Sequence, residues 1–399
     1  MTQPKSPFTK AQLLPQEEKL EITHEKSDLS IGIPKETHFQ EQRVCLTPDA
    51  VAALTANGHQ VLIEKDAGEE AGYTDKDYSE AGAKLTVDTK KVFGCPLILK
   101  VEPPTPDELK LINPESVLIS ALQLKTQKKE YFESLAKKKI TALAFEFIKD
   151  DDGSYPAVKS LSEIAGTASV LIASELMVNA TNGNGMLFGN ISGVPPVEVV
   201  VIGAGTVGQY AVRAALGLGA NVKIFDNSIT KLRRIQTKVG QTLYTSTIQP
   251  KNLLKALRRC DVAIGAVRGK HRSPVIVTEA MVECMKKGAV IIDVSVDMGG
   301  CFETTEITSH DKPYFIKHGV IHYGVPNISA RYPRSASVSL SNIFMPYLLE
   351  IAECGGLEEA IRFDHGLKNG LYFYHGILTN KAVADWFDIP YSDPNLLIF

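Results

Sequence analysis

The sequence predicts an α/β fold of two domains, each built on a doubly wound parallel sheet, with the first domain discontinuous. Three observations carry this expectation. Short apolar runs of strand type alternate with helical patterns from Ser30 onward, and such alternation implies parallel sheets. One run, Glu198-Val-Val-Val-Ile202, ends in Gly203-Ala-Gly205-Thr206-Val207-Gly208 and leads directly into an Ala-rich helical pattern. The chain has 399 residues, enough for about two domains with large cores.

Residues 1–28 are polar, mixed in charge and interrupted by Pro4, Pro7 and Pro15. They read as an arm with a short helix at Ala11–Leu20. Strands are then expected at Ile31–Ile33, Val61–Glu64, Leu97–Val101, Ser116–Ala121 and Ile140–Phe145. Asp49–Asn57 reads as a helix, with Thr47 as its cap and Pro48 in its first turn. Ser160 and Glu163 have capping-box spacing and open a helix running to about Asn179. The Gly- and Pro-rich loop Thr181–Pro196 delivers the chain to the glycine motif. Further strands are expected at Val199–Ile202, Val222–Phe225, Thr242–Tyr244, Asp261–Ile264, Ala289–Val296 and Val320–Tyr323. Ala336–Glu353 reads as a long helix, and Gly356–Arg362 and Thr379–Phe387 as shorter ones. A chain that leaves its first domain by one helix, with a long helix after its second, is expected to return. The expected division is an arm at 1–28, a substrate domain at 29–159 and 337–399, and a nucleotide domain at 160–336.

Strand, glycines, helix, second strand and terminal acid in this order point to a dinucleotide-binding, Rossmann-like domain. Gly203 makes the tight turn, Gly205 admits a pyrophosphate and Gly208 lets helix pack on strand. The phosphates are expected on the helix N-terminus, against Gly203, Gly205, Thr206, Val207 and Gly208. Asp226, after the second strand, is placed to accept from the adenosine ribose hydroxyls, which favours NAD over NADP. The first half is Rossmann-like in topology but has no such glycine motif, so a single dinucleotide site is expected.

Composition narrows the function classes. The net charge of −3 gives no basic field for nucleic acid. No apolar stretch is long enough to span a membrane, and the polar N-terminus does not read as a secretory leader. Cys45, Cys95, Cys260, Cys284, Cys301 and Cys354 lack metal-type spacing. They read as free thiols in a reducing compartment, so a cytoplasmic protein without a metal site is expected. In open α/β sheets ligands bind beyond the carboxyl ends of the strands. Arg43, Lys100, Gln123, Asp293, Asp297 and Asn327 all fall at or past such ends. A guanidinium, an ammonium and carboxylates gathered there suit a small substrate carrying a carboxylate with an amine or carbonyl.

The chain resembles alanine dehydrogenases and the related NAD-binding subunit of nicotinamide nucleotide transhydrogenase, from Ile31 to about Phe387. The resemblance rests on Ile31-Gly-Ile-Pro34-Lys35-Glu36, Gln42-Arg43-Val-Cys-Leu-Thr-Pro48, Leu99-Lys100-Val, Leu161-Ser162-Glu163-Ile-Ala-Gly166, Val201-Ile-Gly-Ala-Gly-Thr-Val-Gly208 and Ile292-Asp293-Val-Ser-Val-Asp297-Met-Gly-Gly300-Cys301 with Glu303-Thr304. It implies that Arg43 and Lys100 hold the substrate and that Asp297 lies at the reacting centre. It further implies that Ser162, Asp226, Lys231 and Asn327 contact NAD, and that the chain assembles as a homohexamer. The implied activity is NAD-dependent oxidative deamination of an amino acid, with L-alanine first to try. An imine reductase, a dehydrogenase of another amino acid, a transhydrogenase-like subunit and a non-catalytic NAD-binding protein are the alternatives. One position departs from the resemblance. The family has Leu-His-Leu where this chain has Leu122-Gln123-Leu124, and that His is its acid/base residue. An amide exchanges no proton at neutral pH. Either Asp297 or a water chain carries the proton, or the substrate differs, or activity is lost. His310, His318 and His322 read as core or loop residues.

Overall fold

The computed structural model describes residues 26–269 and 272–398. The helix expected at Ala11–Leu20 lies outside them. Among the described residues, fifteen strands form two sheets. In chain order they are β1 (Ser30–Ile33), β2 (Gln60–Glu64), β3 (Lys84–Thr86), β4 (Leu97–Leu99), β5 (Val117–Ser120), β6 (Thr141–Ala144), β7 (Glu198–Ile202), β8 (Asn221–Phe225), β9 (Tyr244–Ser246), β10 (Val262–Gly265), β11 (Val290–Asp293), β12 (Tyr314–Lys317), β13 (Val320–Tyr323), β14 (Leu371–Tyr374) and β15 (Ile377–Leu378).

The first sheet runs β15-β14-β6-β5-β4-β1-β2-β3 and the second β12-β13-β11-β10-β7-β8-β9. Each contains the doubly wound 3-2-1-4-5-6 order, which reverses between β1 and β4 in one sheet and between β7 and β10 in the other. Central pairs are parallel, with β7 in register against both β8 and β10. The edges depart from the all-parallel expectation, since β12 pairs β13, and β14 pairs β6 and β15, in the antiparallel sense. Because β14 and β15 join the first sheet, that sheet collects strands from both sides of the second.

The apolar runs are strands because both their faces are covered. Val199 and Val201 pack with Ala211, Val212 and Ala215 on one face of the second sheet. Val200 and Ile202 pack with Leu253 and Leu257 on the other. A strand covered on both sides reads as a continuous run rather than an alternation. Each such side chain contributes roughly 1.5–3 kcal/mol by burial.

Two long helices, Pro156–Leu176 and Pro333–Glu353, connect the sheets. The first starts earlier than its sequence suggests. Pro156 takes the first turn and Tyr155 the cap position, so Ser160 is interior and no capping box forms with Glu163. The Ser160 hydroxyl instead bonds Ser339 on the other long helix. Thr47 likewise precedes its helix at the cap position without capping it, because its hydroxyl meets Ser341 at 3.1 Å. At Thr47 a tertiary partner takes the hydroxyl that would cap the helix, whereas at Ser160 the earlier helix start removes the cap position. Strand β9 begins at Tyr244, where Thr242–Tyr244 was expected, and β11 ends at Asp293, short of Val296. All six cysteines are free thiols. Among the described residues no helix is long and apolar enough to cross a membrane.

Candidate active site

At the second sheet's reversal point, β7 delivers the chain to the glycine turn. Gly203 has φ 109°, and a Cβ there would sit 2.4 Å from the Ala266 carbonyl oxygen. Gly205 occupies the cap position of the helix Thr206–Gly217, and a Cβ on it would meet open space. That opening lies at the helix's unpaired amides, the place for a pyrophosphate. Asp226 follows β8. Its Oδ2 accepts from the Ala204 amide at 2.8 Å and its Oδ1 from the Ser228 amide at 2.7 Å. The carboxylate therefore braces the glycine turn and keeps lone pairs for ribose hydroxyls. These residues fit a dinucleotide.

The first sheet's reversal point holds a cluster of charges. The loop after β1 supplies Glu36, Glu41 and Arg43, and the end of β4 supplies Lys100 and Glu102. Lys100 is 1% exposed, with Nζ 2.5 Å from Glu36 Oε2. Burial works against its ammonium, but Glu36 and Glu108 outweigh this and hold its pKa above the ordinary value. Arg43 is also buried. Its Nε donates to Glu41 Oε1 at 2.7 Å and its Nη2 to Glu41 Oε2 at 2.5 Å. Its Nη2 also lies 3.5 Å from Glu102 Oε1. Both cations stay charged in the interior because carboxylates are built in beside them.

The loops after β5 and β6 meet this cluster. Gln123 is left-handed at φ 47°, a conformation uncommon outside glycine. Its backbone and that of Leu122 donate to Glu146 Oε1 at 3.2 and 2.8 Å. Its side-chain amide donates to Glu102 Oε2. Glu146 Oε2 is buried without a partner among the described residues, and burial holds this carboxyl above its ordinary value.

From the second sheet come Arg268, past β10, and Asp297, past β11. Asp297 is open to solvent. Desolvation raises its pKa despite Arg268 nearby. Asp293 accepts from the amides of Ser295, Cys301 and Phe302 and from the hydroxyls of Ser295 and Thr305. It fastens the loop that carries Asp297. The two halves touch directly. Asn327 Nδ2 donates to Glu41 Oε2 at 3.0 Å, Arg43 Nη1 to Ser329 Oγ at 3.4 Å, and Lys125 Nζ lies 3.1 Å from Met298 Sδ.

Residues 32–165 match the family described as alanine dehydrogenase/PNT, N-terminal domain, and residues 169–381 match alanine dehydrogenase/PNT, C-terminal domain. The chain belongs to this family. The alanine dehydrogenase of Staphylococcus haemolyticus (strain JCSC1435) is 38% identical over 366 residues, 91% of this chain and 98% of that one. Alanine dehydrogenase 2 of Staphylococcus aureus (strain USA300) matches to the same extent. A solved L-alanine dehydrogenase superposes with a TM-score of 0.85 at 35% identity, covering 90% of this chain and 99% of the other. A transhydrogenase from Sinorhizobium meliloti, at 22% identity and a TM-score of 0.76 over 88% and 99% of the two chains, shares the fold. The alanine dehydrogenase relatives place the chain among oxidoreductases acting on the CH–NH2 group.

Among the residues singled out from the sequence, Arg43, Lys100 and Gln123 meet in one cluster with Asn327 on its edge. Asp297 faces that cluster from the second sheet through Arg268 and Lys125, which act on its charge. Ser162 is half-buried in the first long helix, and Lys231 is exposed one turn past Asp226. Of the histidines, His322 is core, bonded to Thr304 Oγ1 and the Val320 carbonyl. His318 pairs with Glu279 on the surface, and the His310 amide meets Gln40. Sequence reading gave no role to Glu41, Glu102, Glu146, Arg268 or Ser329. Glu41 and Glu102 each stand two residues from a cation, but the burial that pairs them with it is visible only in the structure.

Proposed function

We propose that this family member is an NAD-dependent dehydrogenase of a small amino acid, with L-alanine as substrate, forming pyruvate and ammonia and running in reverse as reductive amination. The observation that carries this is the buried Arg43–Lys100 cluster at one reversal point, joined by Asn327 and Ser329 to the sheet bearing the glycine turn. NAD, when bound, takes up the hydride from the substrate Cα. Arg43 and Lys100 hold the carboxylate and carbonyl end and so fix Cα within reach of that acceptor. Lys100 stabilises negative charge developing on oxygen. Asp297 handles a proton, helped by water. Gly203, Gly205, Thr206, Val207 and Gly208 seat the pyrophosphate, Asp226 the ribose, and Ser162, Lys231 and Asn327 complete the cofactor contacts. The long helix Pro333–Glu353, which exposes Val338, would pack between subunits in a homohexamer.

Gln123 favours a second reading, a dehydrogenase of another amino acid whose polar group Gln123 recognises. A site built around such a bond rejects ligands that leave it unpaired. Turnover of NADH with pyruvate and ammonia, beside NAD+ with a panel of amino acids, separates the two. Absence of turnover with all of them would refute both.

A further inference from the structure

Glu102 is the carboxylate in this cluster with the most unusual position. It leaves β4 two residues after Lys100 and is 6% exposed. Its Oε2 takes the Gln123 amide, and its Oε1 faces Arg43 Nη2 at 3.5 Å. Glu41 is an acidic neighbour whose charge works against ionisation of Glu102. The neighbouring carboxylates are committed elsewhere. Glu36 holds Lys100 Nζ and the Val101 amide, and Glu41 grips Arg43 and Asn327. Glu108 closes a capping box with Thr105, while Glu146 Oε1 holds two backbone amides. Arg43 keeps its proton at any working pH, and an amide has none to exchange.

We propose that Glu102 is the group that exchanges protons with the substrate nitrogen, and that Gln123 is the positioning residue that aims its carboxyl. This rests on the amino-acid dehydrogenase reading. The charged groups facing Glu102 are Glu36, Glu41 and Arg43 from the loop after β1 and Lys100 at the end of β4. Burial and Glu41 push Glu102 up to about 8 against the pull of Arg43. A group poised near the working pH is the most effective general acid–base.

In deamination the substrate ammonium gives one proton to the Glu102 carboxylate. The freed nitrogen lone pair would form the C=N bond as the Cα–H electron pair leaves as hydride, for which bound NAD would be the acceptor. Glu102 passes its proton to solvent and takes another from the water that adds to the imine carbon. It returns that proton to nitrogen as the C–N bond breaks and ammonia departs with the bonding pair. The hydroxyl proton then passes to Glu102 as the carbonyl forms.

Infrared titration of the free enzyme is to show a carboxyl losing its proton near pH 8, and Glu102→Gln is to abolish that transition. With the amino acid that wild type turns over, Glu102→Gln is to lower kcat about 100- to 10,000-fold. The ionisation near pH 8 in kcat/KM is to vanish, while Asp297→Asn retains it. Gln123→Ala removes only a donor to the ionised carboxylate, so the ionisation is to move to higher pH without disappearing. An ionisation that survives in Glu102→Gln, or a kcat within about threefold of wild type, overturns the proposal. If Glu102→Gln fails to fold, Glu102→Asp keeps an acid short of Gln123. It is to retain the ionisation at reduced rate, and its absence there overturns the proposal too. Turnover of another amino acid in place of alanine overturns only the substrate assignment. Absence of turnover with every amino acid overturns the dehydrogenase reading itself.

Discussion

Gly205 and Gly208 lie three residues apart, and the structure assigns opposite costs to filling them. At Gly205 the backbone is extended at φ −76°, ψ −167°, which any residue adopts, and a Cβ meets nothing within 4 Å. Gly205→Ala is therefore expected to change stability by no more than about 1 kcal/mol. At Gly208 a Cβ would stand 1.8 Å from the Gly203 carbonyl oxygen, a backbone atom that cannot rotate away. Helix Thr206–Gly217 has to retreat from β7, at about 1–3 kcal/mol or more. In a domain of this size each kcal/mol lowers Tm by about 2–4 °C. The effects on NADH binding separate the two further. The methyl of Gly205→Ala would enter the space given to the pyrophosphate, so Kd is to rise at least tenfold, about 1.4 kcal/mol. Thermal melting and titration calorimetry on the two variants are the assays. Gly205→Ala binding NADH as tightly as wild type, with Tm unchanged, would refute the placement of the cofactor on this turn.

Asp226→Ala removes the ribose acceptor together with the brace on the Ala204 and Ser228 amides. By calorimetry NAD+ is to bind more weakly, and its margin over NADP+ is to shrink. Gln123→His places an imidazole beside Glu102. The pH profile is to gain an ionisation near the usual His value of about 6.5, and the rate with pyruvate and ammonia is to rise. A profile and rate equal to wild type would put Gln123 off the reaction path. His322 is buried and its pKa is lowered to about 4, chiefly by desolvation. The unfolded chain binds that proton at pH 6.5 and the folded chain only near pH 4, so stability falls as pH drops through this window. The loss is on the order of 3 kcal/mol, read as a falling Tm that a His322→Gln variant flattens. Glu102 behaves oppositely. Its folded pKa of about 8 exceeds the ordinary 4.5, so it contributes stability below 4.5 that is lost as pH rises to 8. Melting of Glu102→Gln against wild type at pH 9 is to favour the variant.

Sequence pattern located the central strands because their burial on two faces leaves a continuous apolar run. It missed β3, β12, β14 and β15, which lie at the edges or in the tail. Lys84–Thr86 is a mostly exposed strand and Tyr314–Lys317 a largely half-exposed one, neither with such a run. Leu371-Tyr-Phe-Tyr374 is buried and aromatic, but only pairing with β6, more than two hundred residues earlier, makes it a strand. Thr47 takes the expected cap position but spends its hydroxyl elsewhere, and Ser160 falls inside its helix. Each hydroxyl had a partner on the helix Pro333–Glu353 that no local pattern reveals. Arg43, Lys100, Gln123 and Asp297 could be singled out as candidates because strand ends in a doubly wound sheet face the ligand crevice. The carboxylates around them were not, since an acid in a loop looks the same whether it points to water or to a buried guanidinium.

The coupling between the two sheets follows from how the buried charges are satisfied. Glu41 takes Arg43 with both oxygens and Asn327 with one of them, and Arg43 reaches Ser329 on the far side. The left-handed turn at Asn327, φ 51°, presents that amide just past β13. A movement that separated the sheets would thus strip the cluster of two partners while leaving the Glu41–Arg43 pair intact. An ion pair that is preserved in the interior keeps Arg43 oriented even when the cleft opens, because breaking a buried pair costs several kcal/mol. Gln123 and Glu102 belong wholly to the first sheet and do not depend on closure. On the proposed reading, the groups that would hold substrate are preorganised on the first sheet, and Asp297 would come from the second, on the loop that Asp293 fastens. Asn327→Ala is then expected to weaken the coupling between substrate and NADH binding more than either affinity alone, which calorimetry of each ligand with and without the other would measure. Equal coupling in variant and wild type would show that the two walls meet without its help.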